Sequence, residues 1–182
     1  PVSTPELLEK YPFVLTTGAR TYAFFHSENR QIPYCRELNP DPLLEINPDD
    51  AKAAKVADGQ WVKVSNQFGE ALLKAKVSQI VKPGVVHAQH GWWFPEQEGE
   101  APNLFGVWKS NINRLIPMYK VGKLGYGAPY KNVLCKIYKV DDPNAAMEDP
   151  AGYVPRDDRG PNSWPDAGEK SPYIYENIHP GE

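Results

Sequence analysis

Nineteen prolines are scattered through this 182-residue chain, and they restrict its fold more than any other feature. Each one fixes φ and removes a backbone donor, so it interrupts a helix and is unwelcome in the middle of a sheet. Long helices are therefore not expected; short strands joined by many turns are. Trp61-Val62-Lys63-Val64-Ser65 alternates with a period of two, Asn66-Gln67-Phe68-Gly69 reads as a turn, and Ala71 to Val77 alternates again with Lys74 and Lys76 facing water. Together these predict a β-hairpin. Further strands are expected at Phe13–Thr16, Leu43–Ile46, Val85–Ala88 and Val133–Val140. One short helix is announced by Asn47 as N-cap, Pro48 at the first helical position and Asp49-Asp50 against the N-terminal dipole, running to Val56 before the Asp58-Gly59 turn. Residues 1–12 read as a lead-in, and the stretch from Trp93 to Trp108 as irregular. The set predicts a β-barrel with one or two small helices.

From Asp141 onward the periodicity stops and Pro, Gly and Asp dominate. Residues 141–182 therefore read as an extended tail beyond a domain covering 1–140. Its aromatics, Tyr153, Trp164, Tyr173 and Tyr175, suit it to lying along a surface.

Charge and cysteine usage exclude several classes of function. A net charge of −3 leaves no basic footprint for nucleic acid. No apolar run approaches the ~20 residues of a membrane span. Cys35 and Cys135 form no C-x-x-C, which excludes an iron–sulfur or zinc scaffold; they are either two thiols or one disulfide. The chain begins at Pro1 with neither Met nor signal peptide, and so reads as a fragment or processed piece.

The segment Leu15 to Arg30, LTTGARTYAFFHSENR, gathers the candidate chemistry. A strand runs into Thr16-Thr17-Gly18-Ala19-Arg20, followed by His26-Ser27 and Arg30. Glycine lets backbone approach a ligand closely, while hydroxyls, amides and guanidinium forks grip phosphate. A second cluster is His87-Ala88-Gln89-His90-Gly91-Trp92-Trp93, whose histidines at 87 and 90 face opposite sides of a strand. Its tryptophans suit either core plugs or the floor of a cleft for a flat ring. Asn111 and Asn113 are either caps of a polar turn or carboxamides for a heterocycle's edge. Tyr130-Lys131 offers a point charge. Gly122-x-x-Gly125-x-Gly127 lacks the spacing of a dinucleotide fingerprint and reads as a loop. No nucleophile–base pair stands out, so these clusters point to binding, with no independent catalysis expected.

Their order along the chain carries a resemblance: T-G-x-R, H-S, the acidic helix start, D-G, P-G-V-V, H-G-W-W, N-x-L, and aromatic-Lys before the last strand. The series resembles the C-terminal molybdopterin-guanine-dinucleotide-binding domain of the dimethyl sulfoxide reductase superfamily. That superfamily includes formate dehydrogenases, nitrate, thiosulfate and polysulfide reductases, and acetylene hydratase. The resemblance covers about residues 11–140. It implies a six-stranded double-psi β-barrel and a piece of a larger molybdenum or tungsten oxidoreductase. It implies molybdopterin guanine dinucleotide as cofactor, with Thr17, Gly18, Arg20, Phe25, His26 and Ser27 against the dinucleotide. Asn113 and Lys131 would then lie near the pterin, and His90 and Trp92 at the inner end of the cavity. Ala19 departs from the commoner T-G-R. The implied partners are the N-terminal domains of the parent chain and an iron–sulfur electron-transfer subunit. The alternative is a double-psi barrel serving only as a protein-interaction module.

Overall fold

The computed structural model describes residues 5–19, 21–101, 103–117, 130–131 and 133–142. Six strands form a closed barrel: β1 (Phe13–Ala19), β2 (Leu43–Ile46), β3 (Trp61–Ser65), β4 (Glu70–Val77), β5 (Val85–Gln89) and β6 (Val133–Lys139). Their order around it is β1-β5-β2-β4-β3-β6. The pairs β1/β5 and β2/β4 run parallel, and the other four contacts are antiparallel. Closure gives each strand two neighbours, so no strand is left with an open edge to aggregate. This is the six-stranded double-psi barrel that the sequence led us to expect.

The hairpin β3–β4 lies where alternation placed it, with Val62 and Val64 wholly buried and Trp61, Lys63 and Ser65 half-buried on the other face. Asn66 makes its turn. The Asn66 side-chain oxygen accepts from the amides of Phe68 and Gly69, an Asx turn. Its Nδ2 donates to the carbonyls of Leu115 (2.9 Å) and Leu134 (3.3 Å). Barrel closure is thereby tied to the 3-10 turn Ile112–Leu115 that lies against β4.

The inside of the barrel is filled by Leu15, Leu44, Ile46, Val62, Val64, Leu73, Val86 and Cys135, with Ile112 and Leu115 plugging it from outside the sheet. Each fully buried aliphatic side chain is worth about 1.5–3 kcal/mol, so this cluster dominates the stability of the domain. Both cysteines are free thiols, which settles the choice left open by the sequence. Burial pushes the Cys135 thiol up to about 12.

Several elements differ from expectation. β1 continues three residues past Thr16, to Ala19, because parallel pairing with β5 extends it. The lead-in contains helix α1 (Pro5–Lys10). Helix α2 (Pro33–Leu38) occupies the loop before β2; it buries no residue and has no side-chain cap, so it leaves no periodic trace. Helix α3 (Pro48–Ala53) starts as expected, with the Asn47 side chain accepting from the Asp49 amide at 3.0 Å. It stops short of Val56 because Lys55 adopts a left-handed φ of 56°. The stretch read as irregular carries a 3-10 turn, Leu104–Gly106, and ends on helix α4 (Val107–Ser110). The tail from 143 to 182 and the Gly122-x-x-Gly125-x-Gly127 loop lie outside the described residues. Among the described residues no helix is long and apolar enough to cross a membrane.

Candidate functional site

β1 and β5 run parallel, so their C-terminal ends emerge at the same end of the barrel, where most of the candidate residues collect. The β1/β5 register is regular up to Thr17 opposite Ala88 and then shifts, with Ala19 opposite Gln89. Gly18 is the extra residue of this bulge. Its φ of +104° belongs to glycine's range, and a Cβ there would meet no atom of the described residues within 4 Å. Among the described residues, nothing covers Gly18 on the side where a side chain would stand.

On the other flank of β1, the Thr17 amide donates to the Tyr130 carbonyl at 2.8 Å and its hydroxyl reaches the same oxygen at 3.3 Å. That bond fixes the Tyr130-Lys131 turn beside the bulge, with the Lys131 side chain exposed. Thr17 itself is buried, so its hydroxyl is occupied inside the domain.

The third part of the rim is the loop carrying His26 and Ser27. His26 Nδ1 lies 2.8 Å from His90 Nε2, one ring donating and the other accepting. His26 has a left-handed φ of 51°, an uncommon conformation for a residue with a side chain. The ring of Phe25 stands edge-on to that of His26, 4.5 Å between centroids, and is 58% exposed. Trp93 Nε1 donates to the Ser27 carbonyl at 2.6 Å. Gly91 lets the two segments meet, since a Cβ on it would sit 3.2 Å from that of Ser27. His87 lies elsewhere, on the sheet, 3.4 Å from Glu45 of β2.

Beneath the rim is a second apolar cluster of Ala23, Phe24, Trp92 and Phe94, with Cys35 packed against it. Trp92 is wholly buried. Of the two readings of the tryptophan pair, Trp92 is thus the core plug, supporting the rim from below. Arg30 is also buried, at 2% exposure, and its two Nη groups donate to the carbonyls of His26 (2.8 Å) and His90 (3.1 Å). Its guanidinium is therefore engaged within the domain, which corrects its place among the free phosphate donors of the segment. Burial, and secondarily Arg36, lowers its pKa to about 10, against a raising influence of Glu28; it stays charged at neutral pH. Arg36 stacks on Trp92 at 5.0 Å and pairs with Glu96 at 2.8 Å.

Thr17, Gly18, His26, Ser27, His90 and Lys131 thus form one rim. Asn113 does not join it. It sits exposed on the 3-10 turn against β4, and β4 is three strands from β1 either way around the barrel. The neighbouring Asn111 is the cap of that turn, its side chain accepting from the Asn113 amide at 3.1 Å. Arg20 lies outside the described residues. Gly91 and Trp93, which the sequence offered only as members of the second cluster and of the tryptophan pair, take specific places in the rim, the glycine by close approach to Ser27 and the tryptophan by its bond to the Ser27 carbonyl. The donor set suits an anionic, ring-bearing ligand: open backbone at Gly18, a primary ammonium at Lys131, an exposed hydroxyl at Ser27 and exposed rings at Phe25 and His26.

Comparison with known proteins agrees with this chemistry. Residues 13–134 match the family described as "Molydopterin dinucleotide binding domain". The dopamine dehydroxylase of Eggerthella lenta is 35% identical over 153 residues, covering 84% of this chain and 14% of that protein. The dimethyl sulfoxide/trimethylamine N-oxide reductase of Cereibacter sphaeroides is 43% identical over 103 residues, 54% of this chain and 12% of the enzyme. The solved structure of acetylene hydratase from Pelobacter acetylenicus superposes with a TM-score of 0.68 at 29% identity, covering 76% of this chain and 20% of that one. The chain therefore spans about a seventh of the length of the curated relatives it matches. It belongs to the molybdopterin dinucleotide-binding domain family of the dimethyl sulfoxide reductase superfamily.

Proposed function

We propose that this chain binds molybdopterin guanine dinucleotide on the rim at the C-terminal ends of β1 and β5, as one wall of a larger molybdenum or tungsten oxidoreductase. The observation that carries the reading is the Gly18 bulge, whose backbone at φ +104° is left uncovered by the described residues, next to the Thr17 amide that holds the Tyr130-Lys131 turn. Amides at the bulge, with Arg20 following, hold the diphosphate; Ser27 adds a hydroxyl and Lys131 neutralises charge. Phe25 and His26 offer ring faces and edges to a heterocycle. When bound, the cofactor supplies the redox chemistry through its metal, and this chain's residues orient it and keep water away. Asn113 contributes to a pterin from a different side than the rim, as its place against β4 requires.

The remainder of the parent polypeptide supplies the opposite wall. An exposed ridge supports this: Ile32 precedes α2, and Tyr34 and Leu38 lie on it at i and i+4, with exposures of 41%, 69% and 60%. An iron–sulfur subunit is the expected electron partner of such an assembly. Titration of isotope-labelled chain with GDP tests the site. Shifts are expected to concentrate at Thr17–Ser27, His90 and Lys131; shifts spread evenly, or none at high ligand, would remove the assignment. Binding is expected to be weak, because half the cavity walls are elsewhere and fewer contacts offset the cost of association.

A further inference from the structure

We infer that Arg30 is a positioning residue of this rim: it locks the His26 loop to the end of β5 and so fixes where the two histidines and Ser27 face. The inference deepens the cofactor-binding reading and rests on it for its functional meaning.

The lock is visible in what the guanidinium touches. Phe25 to Glu28 are exposed, yet Arg30 in the same loop is 2% exposed. One arm of its fork donates to the His26 carbonyl at 2.8 Å and the other to the His90 carbonyl at 3.1 Å. Those two histidines are 64 residues apart in sequence. A single rigid, planar donor therefore joins the loop to the strand end. Phe24 and Trp92 pack on the guanidinium at 4.6 and 4.7 Å from its central carbon, holding its plane in the orientation both carbonyls need.

Two features of the rim depend on that hold. His26 stays at φ 51°, a conformation that persists only where its surroundings over-determine it. With its carbonyl turned inward to Arg30, its ring is presented to His90. The 2.8 Å approach of the two ring nitrogens then requires both backbones to be fixed at once. Lysine cannot substitute: its ammonium is a point donor without a fork, and it lacks a plane to stack on the rings.

The test reads the bonds in the unsubstituted chain first. Heteronuclear NMR of the labelled chain is expected to show couplings through the hydrogen bonds from Arg30 Nη to the His26 and His90 carbonyl carbons, and from His26 Nδ1 to His90 Nε2. Absence of either Arg30 coupling overturns the inference, and this holds whether or not any variant folds. Arg30→Lys and Arg30→Met are then compared, with amide shifts of Val62, Val64 and Leu73 as the check that the barrel is intact. In both, the coupling between the histidine rings is expected to vanish, and GDP affinity to fall roughly tenfold or more. Retention of ring coupling and affinity in Arg30→Lys would mean that Arg30 merely fills space, and the inference fails. If the unsubstituted chain ignores GDP while ring coupling still disappears in Arg30→Lys, the lock stands and it is the cofactor reading that falls.

Discussion

Asn39 and Gln89 hold each other by their carboxamides: Gln89 Nε2 donates to Asn39 Oδ1 at 2.8 Å, and Asn39 Nδ2 reaches Gln89 Oε1 at 3.4 Å. Both side chains are buried. Gln89 Oε1 also accepts from the Leu43 amide, and Asn39 Nδ2 donates to the Asp41 carbonyl. This network fastens the entry to β2 onto the last residue of β5, directly behind the rim. Gln89→Leu leaves buried partners unsatisfied, a cost of about 1–3 kcal/mol. Urea unfolding is expected to show that loss, and an unchanged midpoint would show that water replaces the pair without cost.

Gly18 and Gly69 should fail in different ways. At Gly18 a Cβ has room but the φ of +104° does not suit it, whereas at Gly69 a Cβ would lie 2.8 Å from the Arg114 carbonyl oxygen. Gly18→Val is expected to lose roughly 1–3 kcal/mol through backbone strain alone and to abolish GDP-induced shifts at Thr17. Gly69→Ala should displace the Arg114 turn, seen as shifts at Asn113 and Leu115, and leave the Gly18 region unaltered.

Cys135 makes stability depend on alkaline pH. Its folded-state value of about 12 stands above the ordinary thiol value of 9.0, so above pH 9 the unfolded chain sheds a proton that the folded chain keeps. Stability from this group is complete below pH 9 and is lost as pH rises toward 12. Cys135→Ala is expected to flatten that part of the pH–stability curve, measured by denaturant melts between pH 8 and 11. At neutral pH, Cys35, only half-buried, should react with a thiol reagent well before Cys135 does.

Asn47 performs two tasks, accepting from the Asp49 amide at the start of α3 and donating to the Val81 carbonyl at 2.9 Å. Asn47→Ala is expected to cost about 2 kcal/mol, while Asn47→Ser, which keeps a capping oxygen and loses the Nδ2 donor to Val81, should cost less. Thermal melts of the pair separate the two contributions.

Part of the barrel was legible because half-buried strands alternate; β3 and the Asn66 turn are the clearest examples, while β4 buries Ala71, Leu72 and Leu73 in a row and keeps the pattern only from Leu73 to Lys76. The cap of α3 was legible because Asn47-Pro48-Asp49-Asp50 is a local signal. The pairing of β1 with β5 was not, since parallel strands some 70 residues apart leave no local trace of their register. Helix α2 was invisible for the opposite reason: none of its residues is fully buried and only Cys35 and Arg36 pack inward, so no periodicity marks it. At the rim, the order of short patterns brought out Thr17, Gly18, His26, Ser27, His90 and Lys131 together. It misjudged Arg30, because a sequence shows that a guanidinium is present but not that two carbonyls and two rings have already claimed it.

A bulge takes up one residue without displacing the strands on either side. The Gly18 bulge does this between the paired positions Thr17 and Ala19, at the spot where T-G-A-R is one residue longer than T-G-R. Spacing across this point is thus a poor guide to kinship: a fixed-gap pattern would reject a chain whose barrel is intact. The same slack gives evolution a place to reposition the residue after the glycine, by insertion or deletion, without refitting the core.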